Sequence, residues 1–444
     1  MLSLRLSDPA RCAIFAIVAA TAGAGGLILH GLSLAAVHFA VLPVFIGYAL
    51  TLQAGPARLR LYHVLYVLFL AAMVATYLVL LARAIPDLRI CWVELPIAVW
   101  FLLTMHVVVR WMDRIVDWAL SAAFGRIGLK PNATSPRRLY LPKVFLRGLC
   151  VLAVATPYIL ALFAVHWVKF LDNNDPMRQG QTAFEHVRLQ AADGVDLDGW
   201  FIPGTVMPGP RVLVPDATVI VVPGRGMPKG CSLNYAQILY LNGYNVLLVD
   251  LRGEGGSAGH SRSFGVREAQ DVLGAVQYLE QTHAESSRHI YALGVSQGAS
   301  AVIRAAAMDE RVRAVVVDST LTVANDVLPA RVLLRLPAPL RGYVGSMTRL
   351  FASAELGCNL FRHSDLAAAA ARLSPRPLLV IHGSADTMGD PNEAARLYAA
   401  AGEPKCLDMV PGAGHAQSLL VEGPPYVLRI LQLLALARKL DLPS

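Results

Sequence analysis

The sequence is short of charge. Of its 444 residues only 16% are Asp, Glu, Lys or Arg, while 55% are hydrophobic, and the mean hydropathy is +0.50. A soluble domain carries about 25% charged residues. This composition excludes a disordered chain, a coiled coil and an ordinary cytosolic enzyme along the whole length. Acidic residues are scarcest at the start: residues 1–170 hold 15 Lys/Arg and 5 Asp/Glu, whereas residues 171–444 hold 24 and 26. The basic excess lies wholly in the apolar part. It therefore does not form the basic face of a folded nucleic-acid binder, and it suits cationic loops flanking membrane spans. The six cysteines (Cys12, Cys91, Cys150, Cys231, Cys358 and Cys406) form no C-x-x-C and no Cys/His cluster at zinc spacing. No disulfide framework, metal site or cofactor is expected. Thirty-five Gly and 27 Pro are ordinary usage and exclude a collagen-like or low-complexity chain.

What is present in residues 1–170 is a set of five apolar runs: Cys12–Leu29, Leu32–Leu52, Leu61–Leu81, Trp92–Val109 and Val144–Val168. Each is long enough to cross a hydrocarbon core of about 30 Å as a helix. Lys and Arg cluster before the first run, between the second and third, and between the fourth and fifth, from Arg110 to Arg147. The positive-inside tendency then places the N-terminus and the 110–147 loop in the cytoplasm. Five crossings put everything after Val168 on the non-cytoplasmic side, and one re-entrant segment would reverse that. A competing reading makes the first run a signal peptide cleaved near Ala20-Thr21-Ala22. His38, His63, His106 and His166 lie in the apolar runs without a mid-span carboxylate, a poor composition for a proton relay. The polar Asp172–Pro176 stretch marks a boundary. The expected organisation is a multi-span module over 1–170, a linker over 171–183 and a second domain over 184–440.

In the second domain the pattern changes to short β-branched runs alternating with helical periods. Phe184–Leu189 and Leu197–Ile202 flank a hairpin signal at Ala191–Gly194. Thr218–Val222, Asn245–Asp250, Ile290–Gly294, Ala314–Asp318, Leu378–His382 and Leu407–Val410 read as buried strands. Helical stretches such as Val266–Thr282 and Gln297–Met308 lie between them. This alternation predicts a mostly parallel sheet with helices on both faces, in which ligands bind beyond the carboxyl ends of the strands.

The chemistry concentrates at those ends. Gly294-Val295-Ser296-Gln297-Gly298 is G-x-S-x-G between a strand and a helix, the context that lifts a serine Oγ clear of a sheet. The Gln297 N–H would then face a developing oxyanion. Gly255-Gly256-Ser257-Ala258-Gly259 matches the same pattern, but a Gly-rich loop follows it and no helix, so Ser257 reads as a turn residue. A serine nucleophile needs a base, and the base an orienting carboxylate. Asp386 follows Leu378–His382 and His415 follows Leu407–Val410, in the order Ser, acid, His. Asp390, four residues on, is the alternative acid. The loop after Thr218–Val222 offers a second oxyanion donor, with Arg225 first and Gly226 next.

With these residues in hand the chain resembles the α/β-hydrolase superfamily over about Phe184–Leu436. Asp250-Leu251-Arg252-Gly253-Glu254-Gly255-Gly256-Ser257 is similar to its D-x-R-G-x-G-x-S loop, and Ser263-Phe264-Gly265 with Glu268 and Asp271 to the start of the next helix. Pro375–Gly383 and Pro411–His415 resemble the blocks carrying acid and base. The subgroup it looks most like is the membrane-tethered serine hydrolases related to acyl-thioesterases, monoacylglycerol lipases and serine aminopeptidases. Two departures stand out: Pro223 where many relatives have His, and several apolar runs in place of one anchor. The resemblance implies a helical cap in the insert at about 320–374, with apolar Val327–Leu340 and Leu350–Asn359.

The expected function is a membrane-anchored serine hydrolase acting on an ester or thioester of an acyl or lipid-like substrate, with Ser296 acylated. A serine peptidase or an acyltransferase could use the same residues. A reading of another class makes the spans a sensor or transport module and the second domain a binding domain.

Overall fold

The computed structural model describes residues 184–204, 214–323, 327, 336–363 and 365–441, with scattered positions between 153 and 176. Four of the five expected spans, most of the fifth and nearly all of the expected linker lie outside the described residues. Among the described residues no helix is long and apolar enough to cross a membrane.

Eight strands form one sheet: β1 (Glu185–Gln190), β2 (Asp196–Ile202), β3 (Val214–Val222), β4 (Tyr244–Val249), β5 (His289–Val295), β6 (Val312–Asp318), β7 (Leu378–Gly383) and β8 (Lys405–Val410). Their order is β1-β2-β4-β3-β5-β6-β7-β8. The β1–β2 hairpin and the β2–β4 pair are antiparallel; all pairs from β4 through β8 are parallel. Each expected strand is present, with ends displaced by a few residues.

Strand periodicity decides which side chains meet which helices. Ile220 and Val222, Leu247 and Val249, Val315 and Val317, and Leu378 and Val380 face one side. There they pack under α2 (Glu268–Thr282), α3 (Gln297–Met308), α5 (Ala367–Ala370) and α6 (Pro391–Ala400). The intervening Val219, Val221, Val246, Leu248, Val316 and Ile381 face the other side, against α1 (Leu233–Tyr240) and α7 (Pro424–Asp441). The central strands are buried on both faces, and for that reason their sequences are runs of Val, Ile and Leu without polar alternation.

The insert after β6 contains α4 (Ala338–Leu356). One helix thus bridges the two apolar stretches expected there, and residues 328–335 of the first lie outside the described residues. One face of α4 is buried: Ala352 and Leu356 join Val323, Val327, Leu360 and Phe264 in a satellite core. Leu340, Tyr343 and Leu350, spaced along its other face, are exposed.

The compact unit that holds the sheet begins at Pro157. Ala161, Ala164 and Val165 belong to the same satellite core as α4, and the Tyr158 ring meets Phe351 edge-on at 5.4 Å. His166 Nε2 lies 2.9 Å from Glu355 Oε1. The Val165 carbonyl accepts from the Arg262 amide at 2.9 Å, and Lys169 Nζ donates to the Ser257 carbonyl. Side chains at the end of the expected fifth span therefore pack against protein. Hydropathy cannot separate that from lipid, because both solvents are apolar.

Candidate active site

Ser296 stands between β5 and α3 with φ 55° and ψ −118°. That left-handed backbone is uncommon for a residue with a Cβ and costs of order 1–3 kcal/mol. The surroundings hold it there. The Ser296 amide donates to the Asp318 carbonyl at 2.9 Å, and the Ser296 carbonyl accepts from Ala299 at 3.1 Å. Gly298 lets the helix pack against the end of β3, since a Cβ there would lie 2.3 Å from the Val222 carbonyl oxygen. Only a small part of the Ser296 surface is open to solvent, 8%.

Three residues far apart in the chain meet here. His415 Nε2 lies 2.8 Å from Ser296 Oγ, and His415 Nδ1 lies 2.8 Å from Asp386 Oδ2. The other Asp386 oxygen accepts from the amides of Met388, at 2.8 Å, and Gly389, at 3.0 Å. Burial pushes the Asp386 carboxyl up, but the imidazoles of His382 and His415 and the Gly389 amide outweigh it. The group is held well below the usual carboxylate range. It stays an anion and can hold an imidazolium.

The alternative acid is placed elsewhere. Asp390 caps α6, where its carboxylate accepts from the backbone amide of Asn392 at 3.0 Å and from the Asn392 side chain. An Asp immediately before Pro391 and a helical run is a favoured N-cap.

The oxyanion assignments divide as well. Gln297 opens α3, so its N–H has no acceptor within the helix. The loop after β3 makes a turn in which the Met227 amide donates to the Gly224 carbonyl at 3.3 Å. A Cβ on Gly224 would lie 3.1 Å from the Ser296 Cβ, so this turn runs beside the serine. Gly226, however, donates its N–H to Glu254 Oε1 at 2.8 Å. That amide is committed to a carboxylate and does not serve as the oxyanion donor expected of it.

Sequence reasoning missed a buried polar assembly behind the base. Asp318 ends β6, wholly buried. It accepts from Ser319 Oγ at 2.9 Å, Ser418 Oγ at 3.0 Å and the Tyr426 hydroxyl at 3.1 Å. Ser319 in turn accepts from the Ala416 amide at 2.9 Å, next to His415. Burial raises the Asp318 carboxyl, and these hydroxyls offset only part of the effect. His382, at the end of β7, is fully buried, with Nε2 3.2 Å from Asp386 Oδ2 but without hydrogen-bond alignment. Both residues terminate parallel strands, and that position was the available signal.

A parallel core, a strained serine at a strand-to-helix turn and an imidazole–carboxylate pair on later loops define an α/β-hydrolase architecture. Residues 219–429 match the Alpha/beta hydrolase family. The chain is similar to the uncharacterized protein YfhR of Escherichia coli K12, 26% identical over 299 residues, 65% of this chain and 90% of that protein. It is also similar to the uncharacterized protein Rv2307c of Mycobacterium tuberculosis, 30% identical over 239 residues, 52% of this chain and 74% of that one. Among solved structures it is similar to the Pyrococcus furiosus esterase Pf2001, with 22% identity, a TM-score of 0.48, and coverage of 60% of this chain and 97% of that one. The chain belongs to the α/β-hydrolase family.

Proposed function

We propose that the protein is a membrane-anchored serine hydrolase that cleaves esters or thioesters of acyl or lipid-like substrates through an acyl-enzyme on Ser296. The observation that carries this reading is the pair of 2.8 Å contacts from His415 to Ser296 Oγ and Asp386 Oδ2 at a serine held with positive φ. In the first half-reaction His415 Nε2 takes the Oγ proton while Oγ bonds to the acyl carbon, and the carbonyl π pair moves onto oxygen. The Gln297 N–H, with the Arg225 amide proposed as its partner, receives that oxyanion. On collapse the leaving alcohol or thiol takes the proton from His415. Water then attacks the acyl-enzyme with His415 as base, releasing the acid and restoring Ser296. Asp386 orients the ring and balances the imidazolium charge.

Anchoring rests on the apolar runs of residues 12–168, and loop charge favours a hydrolase domain on the non-cytoplasmic side. The acyl preference rests on α4, which exposes Leu340, Tyr343 and Leu350 on one face and packs its other face against Ala161 and Val165, where the chain leaves the apolar half. An exposed apolar stripe of this kind suits lipid or acyl chains.

The test is labelling of membranes with a fluorophosphonate, followed by hydrolysis of a series of p-nitrophenyl and thioester acyl substrates. Labelling lost in Ser296→Ala but retained in Ser257→Ala is the expected result. Folded wild-type protein that takes no label and cleaves nothing would sink the enzyme reading and leave the hydrolase fold as a binding domain.

A further inference from the structure

We infer that Glu254 is a positioning residue for the oxyanion turn, holding it against Ser296 through the Gly226 amide; this rests on the hydrolase reading above. Glu254 sits on the loop after β4, and its side chain is 1% exposed. Its Oε1 accepts from the Gly226 N–H at 2.8 Å. Arg262, equally buried, meets both carboxylate oxygens, with Nε on Oε1 and Nη2 on Oε2 at 2.9 Å. Glu254 reaches the β3–α1 segment through that amide, four residues after the end of β3.

The geometry explains why a charge is placed here. Gly226 has φ 71°, so the turn holds a conformation that few other residues adopt. The same turn brings Gly224 alongside Ser296. A short Gly-rich loop has many conformations, and a donor helps a transition state only when it is already aimed. The Glu254 carboxylate removes that freedom by holding the Gly226 amide. Arg262 fixes the carboxylate in turn, and its own backbone is tied to Val165. A neighbouring carboxylate, Asp250, holds the far end of the loop through the Lys229 amide and ammonium. Two acidic residues of one loop thus clamp both ends of another, and only the Glu254 end borders the serine.

A buried ion pair cannot be probed by removing one partner, because the other charge is left unpaired. The test uses the full-length protein in nanodiscs carrying Glu254→Met/Arg262→Met, which removes both charges and the acceptor. It is compared with Glu254→Gln/Arg262→Met, which restores a carbonyl oxygen for Gly226. Thermal midpoints establish that both are folded. The readouts are kcat and KM for p-nitrophenyl butyrate and Ki for an alkyl trifluoromethyl ketone, which forms a hemiketal oxyanion on serine. In the Met/Met protein kcat falls by about 10–100-fold, below the 10²–10³ of losing a donor outright. KM stays within about threefold, and the ketone Ki rises in proportion to the loss in kcat/KM. The Gln/Met protein recovers most of both. Folded Met/Met protein with wild-type kcat and Ki, or equal losses in the two doubles, overturns the inference. Wild-type protein that neither turns over ester nor binds the ketone overturns the hydrolase reading and the inference with it.

Discussion

Ser296 and Ser257 occupy the same five-residue pattern, 39 positions apart in the chain, and the structure uses them in opposite ways. Ser257 is 1% exposed; its hydroxyl donates to the Asp250 carbonyl at 2.6 Å and accepts from the Asp198 amide at 2.9 Å. Both its hydrogen-bonding roles are spent on backbone, tying the β4 loop to β2. Ser296 is the N-cap of α3 by position, yet its hydroxyl makes no capping bond and turns to an imidazole. One serine closes a loop by satisfying buried backbone groups. The other is held in a strained backbone with its oxygen against His415 Nε2. The difference lies in what stands around the pattern: a helix begins after Gln297, and a histidine arrives from a loop 119 residues further on.

The comparison breaks first at Ser296. Ser296→Ala lowers ester turnover by about 10⁴–10⁶-fold, as for other serine nucleophiles, whereas Ser257→Ala leaves kcat/KM within about threefold. Steady-state kinetics on the two purified proteins checks both. Next comes Asp386→Asn, which lowers kcat by about 10³–10⁴-fold through loss of the correct imidazole tautomer. Asp390→Ala leaves kcat unchanged and costs about 1 kcal/mol through the lost cap of α6, so the two substitutions side by side separate acid from cap.

A third effect concerns stability. Ser257→Ala leaves the Asp198 amide and the Asp250 carbonyl without their partner and costs about 1–3 kcal/mol by denaturant unfolding. Ser296→Ala relieves no buried partner of that kind and leaves the midpoint nearly unchanged. The smallest effect is a pH dependence. The Asp386 carboxyl is depressed in the folded protein, so its contribution to stability is complete above its ordinary value of about 3.9 and fades as the pH falls through the folded value. The thermal-midpoint difference between wild type and Asp386→Asn therefore shrinks below about pH 4. A difference that is constant with pH would contradict the depressed carboxyl.

Much of the fold was legible because strands and helices differ in period. The central strands could be read from β-branched runs, since the parallel core buries both their faces and admits little else, and β1 and β2 from the hairpin signal between them. Helix α4 reads as two apolar stretches because the more polar, Gly-containing Arg341–Arg349 lies between them, while Pro337 and Pro339 mark where the helix begins. Ser296, Asp386 and His415 could be located as strand-end residues in a known order. The commitment of the Gly226 amide could not. It depends on Glu254, a loop residue whose carboxylate would read as a solvated charge until its burial and its pairing with Arg262 are seen. The assembly around Asp318 was hidden for the same reason, since Tyr426 reaches it across 108 residues of chain.

The sequence by itself determined an apolar, cationic N-terminal half, an alternating β/α second half, and a small set of strand-end residues able to attack a carbonyl. Those follow from hydropathy, period and residue chemistry, which act locally along the chain. The tertiary structure decided which of the two G-x-S-x-G serines meets an imidazole, which of two aspartates faces that imidazole, and which backbone amides are already occupied. Each of those choices is made by a hydrogen bond between residues distant in sequence, and such a bond exists only once the sheet has brought the strand ends together.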